Sequence, residues 1–105
     1  MYNLTFYISG PMTGYKDFNY PAFIAAEKEL RKLGCINILN PAKIDHQDTV
    51  WENCIRRAIA LMMGADVLIL LPGWDKSKGA VLEVDIALKV GMSVATLETF
   101  KELVK

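Results

Sequence analysis

The chain has no surplus of either charge: twelve basic side chains balance twelve acidic ones, and the two signs are interleaved. Without a basic tract or stripe, DNA and RNA polymers are not expected partners. A small anion needs only a few local donors and remains open. Cysteine is scarce. Cys35 and Cys54 lie far apart with no Cys-x-x-Cys pair, so both are expected as buried free thiols in a reducing compartment. Histidine occurs once, as His46 in Lys43-Ile44-Asp45-His46-Gln47-Asp48. A metal there would need Asp45, Asp48 and remote partners, and no ligand spacing supplies them, so no metal is expected. Long apolar runs are missing too. Leu4–Ile8, behind Met1-Tyr2-Asn3, is too short for a signal or a membrane span, which predicts a soluble cytoplasmic protein with no membrane partner. Ser9, Ser77 and Ser93 lack a nucleophile elbow, which argues against a serine hydrolase. No repeat, low-complexity stretch or linker divides the 105 residues, so one domain over 1–105 is expected.

What is present is apolar and periodic. About half of the chain is hydrophobic, and the five methionines read as core filler. Short, β-branched runs at Leu4–Ile8, Ile36–Leu39, Val67–Leu71 and Ser93–Thr96 read as strands buried on both faces. Between them, Phe23, Ala26, Leu30 and Leu33 mark a helix from Tyr20 to Leu33, stopped at Gly34. Trp51, Ile55, Ala58 or Ile59, and Met62 mark a second, with Thr49 or Asp48 as its cap. A third runs from about Gly79 to Val90 before Gly91, and a short fourth from Glu98 to Val104. The alternation βαβαβαβα predicts an α/β fold: a flavodoxin-like parallel sheet in the order 2-1-3-4, with helices on both faces. Ligands then belong beyond the carboxyl ends of the strands, where Ser9–Asn19, Asn40–Asp48 and Pro72–Lys78 arrive. Asp66, before the third strand, lies at the opposite end and reads as structural.

The most informative stretch runs from Leu71-Pro72-Gly73-Trp74-Asp75 through Ser77-Lys78-Gly79-Ala80 to Glu83. A strand ends, a Pro-Gly turn exposes Trp74, and a helix begins near Ser77, where free backbone N–H groups and the Ser77 hydroxyl suit a phosphate. Glu83 lies just over a turn inside. Gly79, Ala80 and Ala87 share its face and are small, which leaves room for a ligand above the carboxylate. The helix start would keep Glu83 ionised, as a nucleophile or sugar-hydroxyl acceptor requires. The competing reading is a solvated helix glutamate with small neighbours chosen for packing. The first loop, Ser9-Gly10-Pro11-Met12-Thr13-Gly14, offers hydroxyls and close backbone approach, and Tyr7 points either into the crevice or into the core.

Tyr7-Ile8-Ser9-Gly10-Pro11-Met12, Asn40-Pro41, Leu70-Leu71-Pro72-Gly73-Trp74 and Ser77-x-Gly79-Ala80-x-x-Glu83 together resemble a phage and bacterial family of unknown function, the DUF4406 group. That group looks like a compact relative of the nucleoside 2-deoxyribosyltransferases and the 2′-deoxynucleoside 5′-phosphate N-hydrolases. The resemblance implies that Glu83 attacks the anomeric carbon of the sugar, with Tyr7 positioning it. Ser77 would hold a 5′-phosphate. Ser9, Gly10, Pro11, Met12, Asn40, Gly73, Trp74 and Gly79 would line a nucleoside or nucleotide site, and no cofactor is implied. Pro11 and Thr13 replace the phosphate-binding Ser and Arg of that loop. Ala58 stands where the related enzymes carry an Asp that manages the proton on the leaving base. Loss of such an acid costs about two to four orders of magnitude in rate, so either Asp75 substitutes or the protein is slow or a binder. Arg56 and Arg57, beside the gap, read as solvated. The resemblance also implies a homo-oligomer, expected through the first two helices. The Pro-Gly…Gly-Ala-x-x-Glu run is similar to the motif of the cytokinin-activating phosphoribohydrolases, which makes a ribose substrate the enzymatic alternative. A nucleotide-sequestering module and a small assembly protein are the non-catalytic ones.

Overall fold

A computed structural model describes residues 3–43 and 50–104. Four strands, β1 (Thr5–Ser9), β2 (Asn37–Leu39), β3 (Val67–Leu70) and β4 (Ser93–Thr96), form one sheet in the order β2-β1-β3-β4. All three pairings are parallel, with Tyr7 opposite Leu39 on one side and Leu68 on the other. Helices α1 (Tyr20–Lys32), α2 (Trp51–Met62), α3 (Lys78–Lys89) and α4 (Leu97–Leu103) connect and follow them. This is the α/β fold and strand order that the alternating pattern predicts.

Element boundaries differ from expectation by a residue or two. Leu4 is half exposed and drops out of β1, while Ser9 joins it, because the Ser9 carbonyl accepts from Leu71 N at 2.9 Å. Val50 occupies the cap position of α2 with no side-chain bond; Thr49 and Asp48 lie outside the described residues. Burial on both faces holds for β3 and most of β1 but not for β2 and β4, which are edge strands with half-exposed side chains. Cys35 is buried as expected, whereas Cys54 is only partly so; both are free. Met62 is core filler, but Met63 is exposed. Asp66 is structural: its carboxylate accepts Thr5 N at 2.9 Å, pinning the amino ends of β1 and β3.

Period-two alternation along β1 sends its side chains to two separate cores. Phe6 and Ile8 join Phe23, Ala26 and Leu30 of α1 and Leu97 and Phe100 of α4. Phe6 meets Phe100 edge-on, with centroids 5.4 Å apart, an arrangement worth about 0.5–1.5 kcal/mol beyond area burial. Tyr7 goes the other way, to Met62, Leu68, Leu70 and Ala87 beneath α2 and α3. Ser9, two residues on, therefore shares the face of Tyr7. Among the described residues no helix is long and apolar enough to cross a membrane.

Candidate active site

Ser77 starts α3 as its N-cap, accepting Ala80 N at 3.2 Å. Glu83 follows in the second turn, on the face turned to the sheet, and only 5% of it is exposed. Both carboxylate oxygens are held by hydroxyls from β1. The Tyr7 phenol donates to Oε2 at 2.6 Å, and the Ser9 hydroxyl donates to Oε1 at 2.6 Å. Tyr7 is fully buried and Ser9 nearly so. These are short hydrogen bonds of the kind made to a charged acceptor.

The electrostatics differ from the sequence expectation. Burial pushes the Glu83 carboxyl above the ordinary glutamate range, and the bonds from Ser9 and Tyr7 offset that only in part. The helix start does not hold Glu83 as a readily ionised group; desolvation wins. Tyr7 is pushed well above the usual phenol range, first by burial and then by the adjacent carboxylate, so it stays a donor. The solvated-glutamate alternative fails as well, because solvent barely touches this side chain.

The small residues on the Glu83 face do not leave the open space expected of them. Ala80 and Ala87 are buried in packing. A Cβ on Gly79 would lie 3.3 Å from Ile55 Cδ1 of α2, so Ile55 fills the room one turn before the carboxylate.

The loops around the site lock to one another. Gly10 passes so close to β3 that a Cβ there would lie 2.8 Å from Leu71 Cβ. Gly73 sits at φ 87°, and an added Cβ would meet the Tyr15 hydroxyl at 2.9 Å and Pro11 at 3.3 Å. This ties the first loop to the third. Pro11 is buried, and its carbonyl accepts Asn19 Nδ2 at 2.9 Å; Met12 is partly buried against the α1 core. Asp17, Phe18 and Asn19 all adopt positive φ, which is uncommon for non-glycine residues. Trp74 is half-buried and packs against the Tyr7–Leu70 core. Asn40 is fully engaged, donating to Phe23 O at 3.2 Å and Glu27 Oε1 at 3.1 Å and accepting Ala42 N at 3.0 Å.

A cleft of about 340 Å³ opens beyond the carboxyl ends of β3 and β4, lined by Pro72, Gly73, Trp74, Asp75, Thr96 and Glu98, among others. Neither Glu83 nor Tyr7 lines it. The carboxyl group is the better indicator of chemistry, because it is an ionisable group held in a buried, pre-arranged site, whereas the cleft is an open depression. Ala58 is half-buried on α2, and Arg56 and Arg57 are exposed, as expected. Asp75 is exposed. Asp45, His46 and Asp48 lie outside the described residues, and no candidate metal cluster occurs among those described.

The family model described as "Domain of unknown function (DUF4406)" matches residues 4–96. The chain belongs to this family. Comparison with curated proteins and with solved structures finds no match. The matched span contains β1, Glu83 and every loop described above, so the whole candidate site lies within the family domain.

Sequence reasoning missed two features of the site. Ser9 enters as a partner of Glu83 rather than only as a loop hydroxyl, which the i, i+2 spacing from Tyr7 signals once β1 is extended by one residue. Ile55 against Gly79 has no local signal, because it depends on how α2 crosses α3.

Proposed function

We propose that the protein cleaves the N-glycosidic bond of a nucleoside or nucleotide, a 2′-deoxynucleoside 5′-monophosphate by preference, with Glu83 as nucleophile. The observation that carries this reading is the buried carboxylate gripped at both oxygens by Tyr7 and Ser9 at 2.6 Å. A carboxylate so fixed is oriented for attack and costs little to reorganise.

In the reaction, one Glu83 oxygen bonds to the anomeric carbon as the C–N bond breaks, and that electron pair leaves with the base. The base takes a proton from Asp75 or water in place of the acid absent at Ala58. Water then attacks the anomeric carbon of the glycosyl ester as its bond to the Glu83 oxygen breaks. The water's proton returns to the group that protonated the base, which releases the sugar and regenerates the Glu83 carboxylate; a second base in place of water gives transfer. Tyr7 and Ser9 hold the carboxylate, while Ser77 and the N–H groups of the first turn of α3 face the 5′-phosphate. The chemistry calls on no cofactor. Two copies paired through α1 and α2 fit the exposed Ile24 and the half-buried apolar face of α2; a monomer in light scattering overturns that pairing.

A panel of ribo- and deoxyribonucleosides and their 5′-monophosphates, with Glu83→Ala as control, tests the reading. Free base is expected from a deoxynucleoside monophosphate and not with the variant. No base from any compound, or equal release by the variant, sinks it; preference for ribose shifts it to the phosphoribohydrolase reading. Near-complete burial of Glu83 and the alanine at position 58 favour a second reading, a nucleotide-sequestering module. Intact nucleotide retained through purification, seen by mass spectrometry without turnover, would establish that one.

A further inference from the structure

The two oxygens of Glu83 are not equivalent. Oε2 takes its hydrogen bond from Tyr7 and Oε1 from Ser9, each at 2.6 Å. The two donors differ first in depth. Tyr7 lies between two strands, opposite Leu39 of β2 and Leu68 of β3, and β2 ends there. Ser9, the last residue of β1, pairs with Leu70 of β3 alone. It stands two residues, about 6–7 Å, nearer the carboxyl edge of the sheet. Ser77, where the phosphate is proposed to sit, begins α3 at that same edge. A sugar arriving from there meets Oε1 before Oε2.

The donors differ also in freedom. The Tyr7 ring is fully buried among Met62, Leu68, Leu70 and Ala87, so its phenolic oxygen stays where the packing puts it. The Ser9 backbone is pinned as well, its carbonyl accepting Leu71 N at 2.9 Å. Its hydroxyl, however, hangs on one rotatable bond. A turn about χ1 to another staggered well is enough to carry it off Oε1.

Resting on the reading of Glu83 as nucleophile, we propose that Oε1 is the attacking oxygen and that Ser9 is the positioning residue that uncovers it for attack and receives it on release. In the first step Oε1 bonds to the anomeric carbon as the C–N bond breaks. The electron pair leaves with the base, and the Ser9 hydroxyl turns aside. Oε2 becomes the carbonyl oxygen of the ester, still an acceptor, so Tyr7 keeps its bond throughout. In the second step water bonds to the anomeric carbon and gives its proton to the group that protonated the base. The Oε1–carbon bond breaks with its pair staying on Oε1, and Ser9 donates to the returning charge. A hydrogen bond to a carboxylate oxygen is stronger than one to a neutral acceptor such as an ester oxygen. Ser9 therefore restrains the attack and assists the release.

Ser9→Ala in the whole protein should attack sooner and release later. With the common 2′-deoxynucleoside 5′-monophosphates, rapid-quench sampling should show a burst of free base equal to the enzyme present, then a slow phase. Intact-mass spectrometry of the quenched samples should find the sugar phosphate esterified to Glu83. The ratio of ester to free enzyme should rise by about ten- to a hundredfold over the wild type. A merely structural loss would slow both steps and leave that ratio in place. Ser9→Cys, which keeps a weaker donor, should give an intermediate rise and carries the same test if the alanine variant does not fold. Tyr7→Phe should slow base release without accumulating ester. Base release that depends on Glu83, with no more ester in the Ser9 variants than in the wild type, overturns the assignment and leaves the glycosidase reading standing. Ester that accumulates in Tyr7→Phe instead overturns it in favour of Oε2. No base and no ester from any of these proteins overturns both.

Discussion

Two glutamates are buried on opposite faces of one sheet, at 5% and 7% exposure, and they behave in opposite ways. Glu27, in α1, is surrounded by donors that carry charge: Arg31 reaches it at 2.8 Å and Lys43 at 3.0 Å, with Asn40 at 3.1 Å. Burial pushes its carboxyl up, but the bonds from Asn40, Lys43 and Arg31 together outweigh that and hold it below the ordinary range. Glu83 has hydroxyl donors, no cation among its hydrogen-bond partners in the described residues, and a carboxyl pushed up. Burial alone does not distinguish a brace from a reactive group; the charge of the partners does. Glu27 is neutralised where it stands and ties α1 to the loop after β2. Glu83 is oriented by two hydroxyls with no cation bonded to it among the described residues, which supports reading it as the reacting group.

The largest effect separating them is expected from Glu83→Gln. Tyr7 can still donate to the amide oxygen and Ser9 can accept from the amide nitrogen, so the fold stays. Base release should fall by roughly 10⁴-fold or more, as for other lost nucleophiles. The thermal midpoint near neutral pH should rise, since a buried charge without a counter-ion has been removed. The sign follows from linkage. A carboxyl whose folded pKa is raised contributes stability that is full below its unfolded pKa and is lost as pH rises through the folded value. The gain from Gln must therefore grow with pH and vanish in acid. A midpoint lowered equally at all pH values would make Glu83 a brace like Glu27.

Glu27→Ala should show the reverse pattern. It removes one of the three hydrogen-bond partners of Asn40 and takes the carboxylate from Arg31 and Lys43, although both cations keep contact with water. A loss of about 1–3 kcal/mol in urea unfolding is expected, with base release per folded molecule unchanged. Here the folded pKa is depressed, so the stabilisation is present above the unfolded value and is lost as pH falls through the folded one. If Glu83 is the nucleophile, an acidic interval is expected between the two carboxyls in which Glu27 is still ionised while Glu83 is protonated and base release is lost. Tyr7→Phe tests the edge of that interval. Removing one bond that favours the ionised form should shift the acid limb of activity to higher pH and slow the reaction by about 10-fold, near 1.4 kcal/mol. An acid limb that does not move would separate Tyr7 from the ionisation of Glu83.

Much of this architecture was legible because it is written in short-range pattern. Phe23, Ala26 and Leu30 repeat with the helical period, Gly34 and Gly91 stop their helices, and the apolar runs fix the strand count and with it the order of the sheet. Glu83 stood out through its spacing from Ser77 and Gly79. Its ionisation did not, because desolvation depends on what covers a group, and the cover comes from β1, 74 and 76 residues away in sequence. Glu27 was invisible for the same reason. At i, i+4 from Arg31 it reads as a solvated surface pair; only the packing of Asn40 and Lys43 over α1 encloses it. Asn40 illustrates the converse: the resemblance makes it a ligand contact, and no local pattern announces that its polar atoms bond the loop to α1.

The finest test of the comparison is Lys43→Met. If cationic partners are what make Glu27 a brace, removing the more exposed of the two should move it a small step towards Glu83. The Lys43 side chain is 65% exposed, so solvent screens most of the attraction, and the expected loss at neutral pH is under about 1 kcal/mol. The informative quantity is the acid-unfolding midpoint, which should move to higher pH because one of the bonds depressing the Glu27 carboxyl has gone while Arg31 and Asn40 remain. Methionine keeps the apolar stem over α1, so lost packing is not confused with lost charge. A midpoint that stays in place would assign the depressed Glu27 carboxyl to Arg31 and Asn40. The distinction between the two glutamates would then rest on a single guanidinium on one side of the sheet and its absence on the other.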